Sequence, residues 1–187
     1  MTLYKFRVLV DSDEDIFRDI EIRKDQSFET FYQAIVKAFG FRGDQLASFY
    51  MSNENWDRGH EVGLMDMGTA EYDDGPAVMR NTKMEELVTE KDQKIILVYD
   101  FLKMWCFYIE LQEEPEGNSV TEYPRVALEF GTAPEEDSKE LPDLFEGIDL
   151  GGFDEEDAKK NEIDEIMKEF EEDGDEPGFE NIDDLDI

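Results

Sequence analysis

Residues 4–40 read YKFRVLVDSDEDIFRDIEIRKDQSFETFYQAIVKAFG, and this stretch decides the fold. Tyr4, Phe6, Val8 and Val10 alternate with Lys5, Arg7 and Leu9, the period of a half-buried strand. Asp11-Ser12-Asp13-Glu14-Asp15 breaks the pattern, after which Ile16, Arg18, Ile20 and Ile22 alternate with Phe17, Asp19, Glu21 and Arg23. Two such strands joined by an acidic loop predict a β-hairpin. From Phe28 the period changes: Phe28, Phe31, Tyr32, Ile35 and Phe39 recur at helical spacing, which lines them along one side of a helix. Ser27 stands where an N-cap hydroxyl belongs, and Gly40 where a left-handed terminator belongs. The helix is therefore expected to lie across the hairpin.

Working outward, Leu46 to Met51 reads as a third strand, Asn53 to Gly59 as a loop and His60 to Leu64 as a short strand. Residues 65–83 contain Gly68, Gly75 and Pro76 with little periodicity and are expected to form a long surface loop. Met84 to Val88 suits one helical turn. Lys94-Ile95-Ile96-Leu97-Val98-Tyr99-Asp100-Phe101 is nearly continuous in apolar character, as a strand buried on both faces requires. Trp105, Phe107, Ile109 and Leu111 alternate next, Pro115-Glu116-Gly117-Asn118 turns the chain, and Val120 to Phe130 supplies a last strand. Pro124 cannot donate to a ladder, so it marks an edge or a bulge. The sum is an α+β fold: an N-terminal hairpin and one main helix packed on a mainly antiparallel sheet.

Charge divides the chain. Its 187 residues hold 51 acids against 18 bases, a net charge of −33. Residues 1–131 account for 27 acids and 14 bases, and residues 132–187 for 24 acids and 4 bases. The domain is thus expected at 1–137, followed by an acidic extension at 138–187. Within the extension Asp154 can cap a helix at about 155–171, whose Ile163, Ile166, Met167 and Phe170 share one side. Leu141, Leu144, Phe145, Ile148, Leu150 and Phe153 precede it among acids.

Such a balance excludes direct nucleic-acid binding, which needs clustered cations, and disfavours anionic membranes for the same reason. No apolar run reaches the roughly 18 residues of a membrane span, and the strand-like start leaves no signal-peptide core, so a cytoplasmic protein is expected. A single Cys precludes an internal disulfide, and a single His precludes a His-rich zinc site. Cys106 and His60 could formally make a thiol–imidazole pair, but Cys106 lies inside a strand, where free cysteine usually packs as a small hydrophobe. The acidic loop at 11–15 fails as a calcium loop, because Ile16 and Ile22 stand at its sixth and twelfth positions. Asp173, Asp175 and Gly178 fit positions one, three and six of such a loop, yet Pro177 and Asp184 occupy the fifth and twelfth. No phosphate loop, nucleophile elbow or zinc spacing occurs, so neither a cofactor nor catalysis is expected.

Certain residues in their order resemble the plasmid pRiA4b ORF-3-like family: Tyr4 to Leu9, Ile16 to Ile20, Phe28 through Ala38-Phe39-Gly40-Phe41, Leu46 and Phe49, Tyr99-Asp100-Phe101 with Trp105, Tyr123-Pro124, and Ala133-Pro134-Glu135-Glu136-Asp137. The resemblance covers roughly residues 1–140 and implies a bacterial or plasmid-type α+β domain without established activity, sometimes found near mobile elements. The chain departs from the family pattern at Gln45, where a His is expected, at Leu102-Lys103, where Gly-Asp is expected, and at Ala133, where a Cys is expected.

The functional expectation is a non-enzymatic module acting by protein contact. Phe145, Ile148, Leu150, Phe153, Ile163, Ile166, Met167 and Phe170 are the candidate interaction residues, and a basic protein is the candidate partner. The apolar stripe can alternatively fold onto its own domain, which needs no second molecule. A mobile-element accessory that occupies a basic partner as an acidic mimic, and an enzyme with an unrecognised site, are the other classes.

Overall fold

The computed structural model describes residues 1–66, 77–119 and 121–140, which lie in one compact unit, Met1–Pro142. The hairpin pairs β1 (Leu3–Val10) with β2 (Phe17–Arg23) in antiparallel register, Leu9 opposite Phe17 and Leu3 opposite Arg23. Helix α1 spans Phe28–Phe39. The Ser27 side chain accepts from the Thr30 amide, and Gly40 ends the helix at φ 73°, a conformation its missing Cβ permits.

Then follow β3 (Ala47–Ser52), β4 (Glu61–Gly63), β5 (Ala77–Val78), the single turn α2 (Met84–Leu87), β6 (Lys94–Tyr99), β7 (Trp105–Glu113) and β8 (Arg125–Phe130). They build one eight-stranded sheet in the order β5-β4-β3-β6-β7-β1-β2-β8. All pairs are antiparallel except β4 with β5. The architecture is α+β, and β6 is central and almost wholly buried, as its apolar run requires.

The core fills the helix side of the sheet. Phe31 stands 4.9 Å from Phe6 and 5.7 Å from Phe49, ring centre to ring centre, while Phe39 meets Phe107 edge-on at 5.1 Å. Helix α1 therefore crosses β1, β3 and β7. Each Phe buried there contributes about 1.5–3 kcal/mol. Arg18 is buried on the same side; its guanidinium lies over Phe39 and donates to the carbonyls of Ala38, Phe17 and Phe130. A cation at the Ala38 carbonyl, in the last turn of the helix, complements the helix dipole and ties α1 to the sheet edge.

Two expectations need correction. The segment expected as a surface loop at 65–83 contains β5 and a 3-10 turn at Met79–Asn81, and Met79 is fully buried; elements this short carry no periodicity. Residues 67–76 of that segment lie outside the described residues. The last strand begins at Arg125 rather than Val120, because Pro124 cannot donate to the ladder. As the proline signals, β8 is an edge strand, with a register shift opposite Asp19 and Ile20. Among the described residues no helix is long and apolar enough to cross a membrane.

Candidate functional site

The residues 132–140 return to the end of the sheet where β6 turns into β7. That turn is set by Asp100, which adopts φ 59° and whose carboxylate accepts from the Leu102 and Lys103 amides at 3.0 and 3.2 Å. Glu136, in a 3-10 turn at Glu136–Ser138, is buried against it. Its carboxylate accepts from the Tyr99 hydroxyl at 2.7 Å and from the Arg42 backbone amide at 2.7 Å. Its carbonyl accepts from the Trp105 indole at 3.1 Å. Asp137 pairs with Arg42 at 2.8 Å and Lys103 at 3.0 Å, while Lys139 reaches the Met104 carbonyl at 2.6 Å and sits over the Trp105 ring.

These groups form a clasp with every main carboxylate occupied. The Arg42 hydrogen bond, aided by Lys103, holds the Asp137 carboxyl well below the usual range. Burial, then the hydrogen bond to Glu136, pushes the Tyr99 hydroxyl well up. The Tyr32 hydroxyl, buried and without a hydrogen-bond partner, is pushed up to about 12 by burial and by nearby Asp44 and Glu136. Tyr99 and Tyr32 thus stay protonated and Asp137 ionised near neutrality, a state suited to fastening the segment rather than to moving protons. Gln45, Lys103 and Ala133, singled out in the sequence, lie near this clasp. Gln45 bonds Asp44, Lys103 bonds Asp137, and Ala133 packs against the core.

Cys106 is not in the core. Trp105 and Phe107 face the helix side, so Cys106 falls on the opposite face and is half-buried. Burial pushes its thiol up despite Lys139 and Arg58, which keeps it protonated. His60 is exposed beyond the 53–59 loop. Among the described residues no group of three or more His, Cys, Asp or Glu is placed to hold a metal ion. The candidate interaction residues Phe145, Ile148, Leu150, Phe153, Ile163, Ile166, Met167 and Phe170 lie outside the described residues.

Sequence reasoning missed a second feature, on the face opposite α1. The strand registers place Tyr50 opposite Ile96, Ile96 opposite Tyr108, Tyr108 opposite Leu9, Leu9 opposite Phe17, and Phe17 opposite Phe130. One apolar row therefore crosses six strands. Beside it run charged positions of alternating sign, Lys94, Glu110, Arg7 and Asp19, of which Arg7 and Asp19 make a two-pronged pair at 2.8 and 2.9 Å. The 53–59 loop covers part of the row: Trp56 meets Tyr108 edge-on at 5.1 Å and Arg58 lies over Tyr50. Each strand alone showed only the alternation; the row exists only once strands distant in sequence are set in register. A groove of about 550 Å³ also separates α1 from β8, between Ala34, Lys37, Ala38, Tyr123 and Val126.

Fold and clasp together define an α+β sheet module that fastens its own 132–140 segment. The sequence model of the plasmid pRiA4b ORF-3-like protein family matches residues 2–179, and the chain belongs to that family. The match corrects the limit of about residue 140 read from the sequence, since the matched region includes most of the acidic extension. A crystal structure of a protein of unknown function from Methanosarcina mazei Go1 is similar in fold, with a TM-score of 0.59, 22% identity and 74% of each chain covered. No curated protein matches the chain.

Proposed function

We propose that the protein is a non-catalytic acidic binding module that acts by contact with a basic protein. The division of charge carries this reading. Inside the domain, eight cationic side chains, among them Arg7, Arg42, Lys94 and Arg125, are paired with the domain's own carboxylates. Residues 138–187 add 21 acids with only 4 bases, an excess of one sign that the bases of the whole chain, 18 against 51 acids, are too few to balance. A field of that sign concentrates cationic partners and speeds their encounter. In this reading Phe145, Ile148, Leu150, Phe153, Ile163, Ile166, Met167 and Phe170 supply the apolar anchors of the extension, and the acids around them supply the steering.

The test is capture from native-cell extract by the immobilised full chain and by residues 1–140, at low and raised salt. Basic proteins retained by the full chain alone and released by salt are expected, because screening weakens attraction between exposed charges. Equal recovery by both chains, or recovery insensitive to salt, would contradict the proposal.

A further inference from the structure

We propose that the open face of the sheet at its β1–β2–β8 end receives an extended basic protein segment, which adds as a strand along β8 and sets an apolar side chain over Phe130. The inference rests on the binding-module reading and gives that module a second, defined surface. The 53–59 loop shelters the Tyr108 half of the apolar row, and among the described residues the other half has no such cover. Phe130 is 54% exposed and Leu128 49% exposed, beside the half-buried Phe17 and Leu9. Phe17 and Phe130 stack face to face at 5.2 Å, so the aromatic pair that makes the platform is already assembled before anything binds.

The rim of the platform selects the occupant. The hairpin loop brings Asp11, Asp13, Glu14 and Asp15 to its border, all exposed and, among the described residues, none of them in an ion pair. The chain leaving Phe130 runs against this loop: a Cβ on Gly131 would lie 3.0 Å from the Asp15 carbonyl oxygen. Arg7 sits over Phe17 at 4.2 Å, but its two bonds to Asp19 spend its charge within the sheet. An apolar centre bordered by unpaired anions fits an apolar anchor flanked by Lys or Arg. A second copy of the chain, at net −33, is repelled by the same rim, as are nucleic acid and anionic lipid. Because β8 pairs, among the described residues, with β2 alone, its outer amides and carbonyls offer an edge to a further strand.

The experiment uses the full chain and a fluorescent peptide in which Lys and Arg alternate with Phe and Val, followed by anisotropy at low ionic strength. Saturable binding is expected, weakened by about tenfold or more when Leu128→Ser and Phe130→Ser are combined, as for loss of a central anchor. Asp13→Asn with Glu14→Gln should weaken it less, and Leu102→Ser, in the β6–β7 turn, should not change it. Both altered apolar positions are already exposed, so the variant folds. Unchanged affinity in the Leu128/Phe130 variant would overturn the proposal, as would self-association of the wild type that the same variant abolishes. If neutralising Glu171, Glu172 and Asp173 abolishes peptide binding while the Leu128/Phe130 variant binds normally, the module reading stands and the face assignment fails. If only the face variant loses binding, the face assignment stands and the extension is not the contact.

Discussion

The two faces of this sheet share the same strands but are finished in different ways. On the helix side Phe6, Phe49 and Phe107 are fully buried under α1, together with its own Phe31. On the other side a single loop covers Tyr108, charged neighbours neutralise one another, and Leu128 and Phe130 stay exposed. Side chains alternate in direction along every strand, so each strand serves both faces at once. The packed aromatic core thereby lies on one face, and the other stays exposed toward β8.

The comparison predicts a graded response to substitution. Phe31→Ala, at the centre of the helix side, should cost about 3–5 kcal/mol, because a packed interior collapses only partly around the lost ring. Urea unfolding measures it, and a cost as small as that of an exposed residue would break the distinction between the faces. Glu136→Ala should come next, at about 1–3 kcal/mol, since it leaves the Arg42 amide without its acceptor and the Tyr99 hydroxyl with only the longer bond to Asp44 at 3.3 Å. Amide exchange in residues 133–140 should rise with it. Trp56→Ala removes the edge-on contact with Tyr108 and should cost roughly 1 kcal/mol. It should also raise the accessibility of Tyr108 to collisional quenchers.

A pH effect belongs to the clasp. The carboxyl of Asp137 titrates lower in the folded chain than in the unfolded one, because Arg42 and Lys103 bond its ionised form. Its contribution is therefore present above the ordinary Asp pKa of about 3.9 and is lost as pH falls through the lower folded value. Asp137→Asn should flatten the acid limb of a stability–pH profile by lowering its neutral plateau, modestly because the pair is exposed, and should leave the most acid end unchanged. An unaltered acid limb would remove Asp137 from the clasp.

The sequence made the helix side legible and the open side obscure. Tyr4, Phe6, Val8 and Val10, with the helical spacing of Phe28 to Phe39, announce their face because burial forces a local period. Glu136 gave no such signal: an acid among acids reads as solvated, and its burial depends on Tyr99 and Arg42, which are far away in the chain. Met79 was hidden for the opposite reason, as a core residue on elements too short to show a period. The apolar row from Tyr50 to Phe130 was present in every strand but needed the pairing of β8 with β2 to be seen. In the candidate site, the Pro134-Glu135-Glu136-Asp137 stretch is singled out by family resemblance alone and Trp105 by strand alternation as well; their contact is a property of the fold.

The measurement that tests the central claim most directly is hydrogen–deuterium exchange of the full chain, free and saturated with the basic apolar peptide. An added strand hydrogen-bonds the open edge, so the account predicts slowed exchange confined to residues 11–17 and 125–131, with α1 unchanged. Phe130→Ser should erase that protection while shifting stability by no more than about 0.5 kcal/mol, as at other exposed positions. Protection centred on α1 or on β3 and β4, or none at saturation, would contradict the division of labour between the two faces.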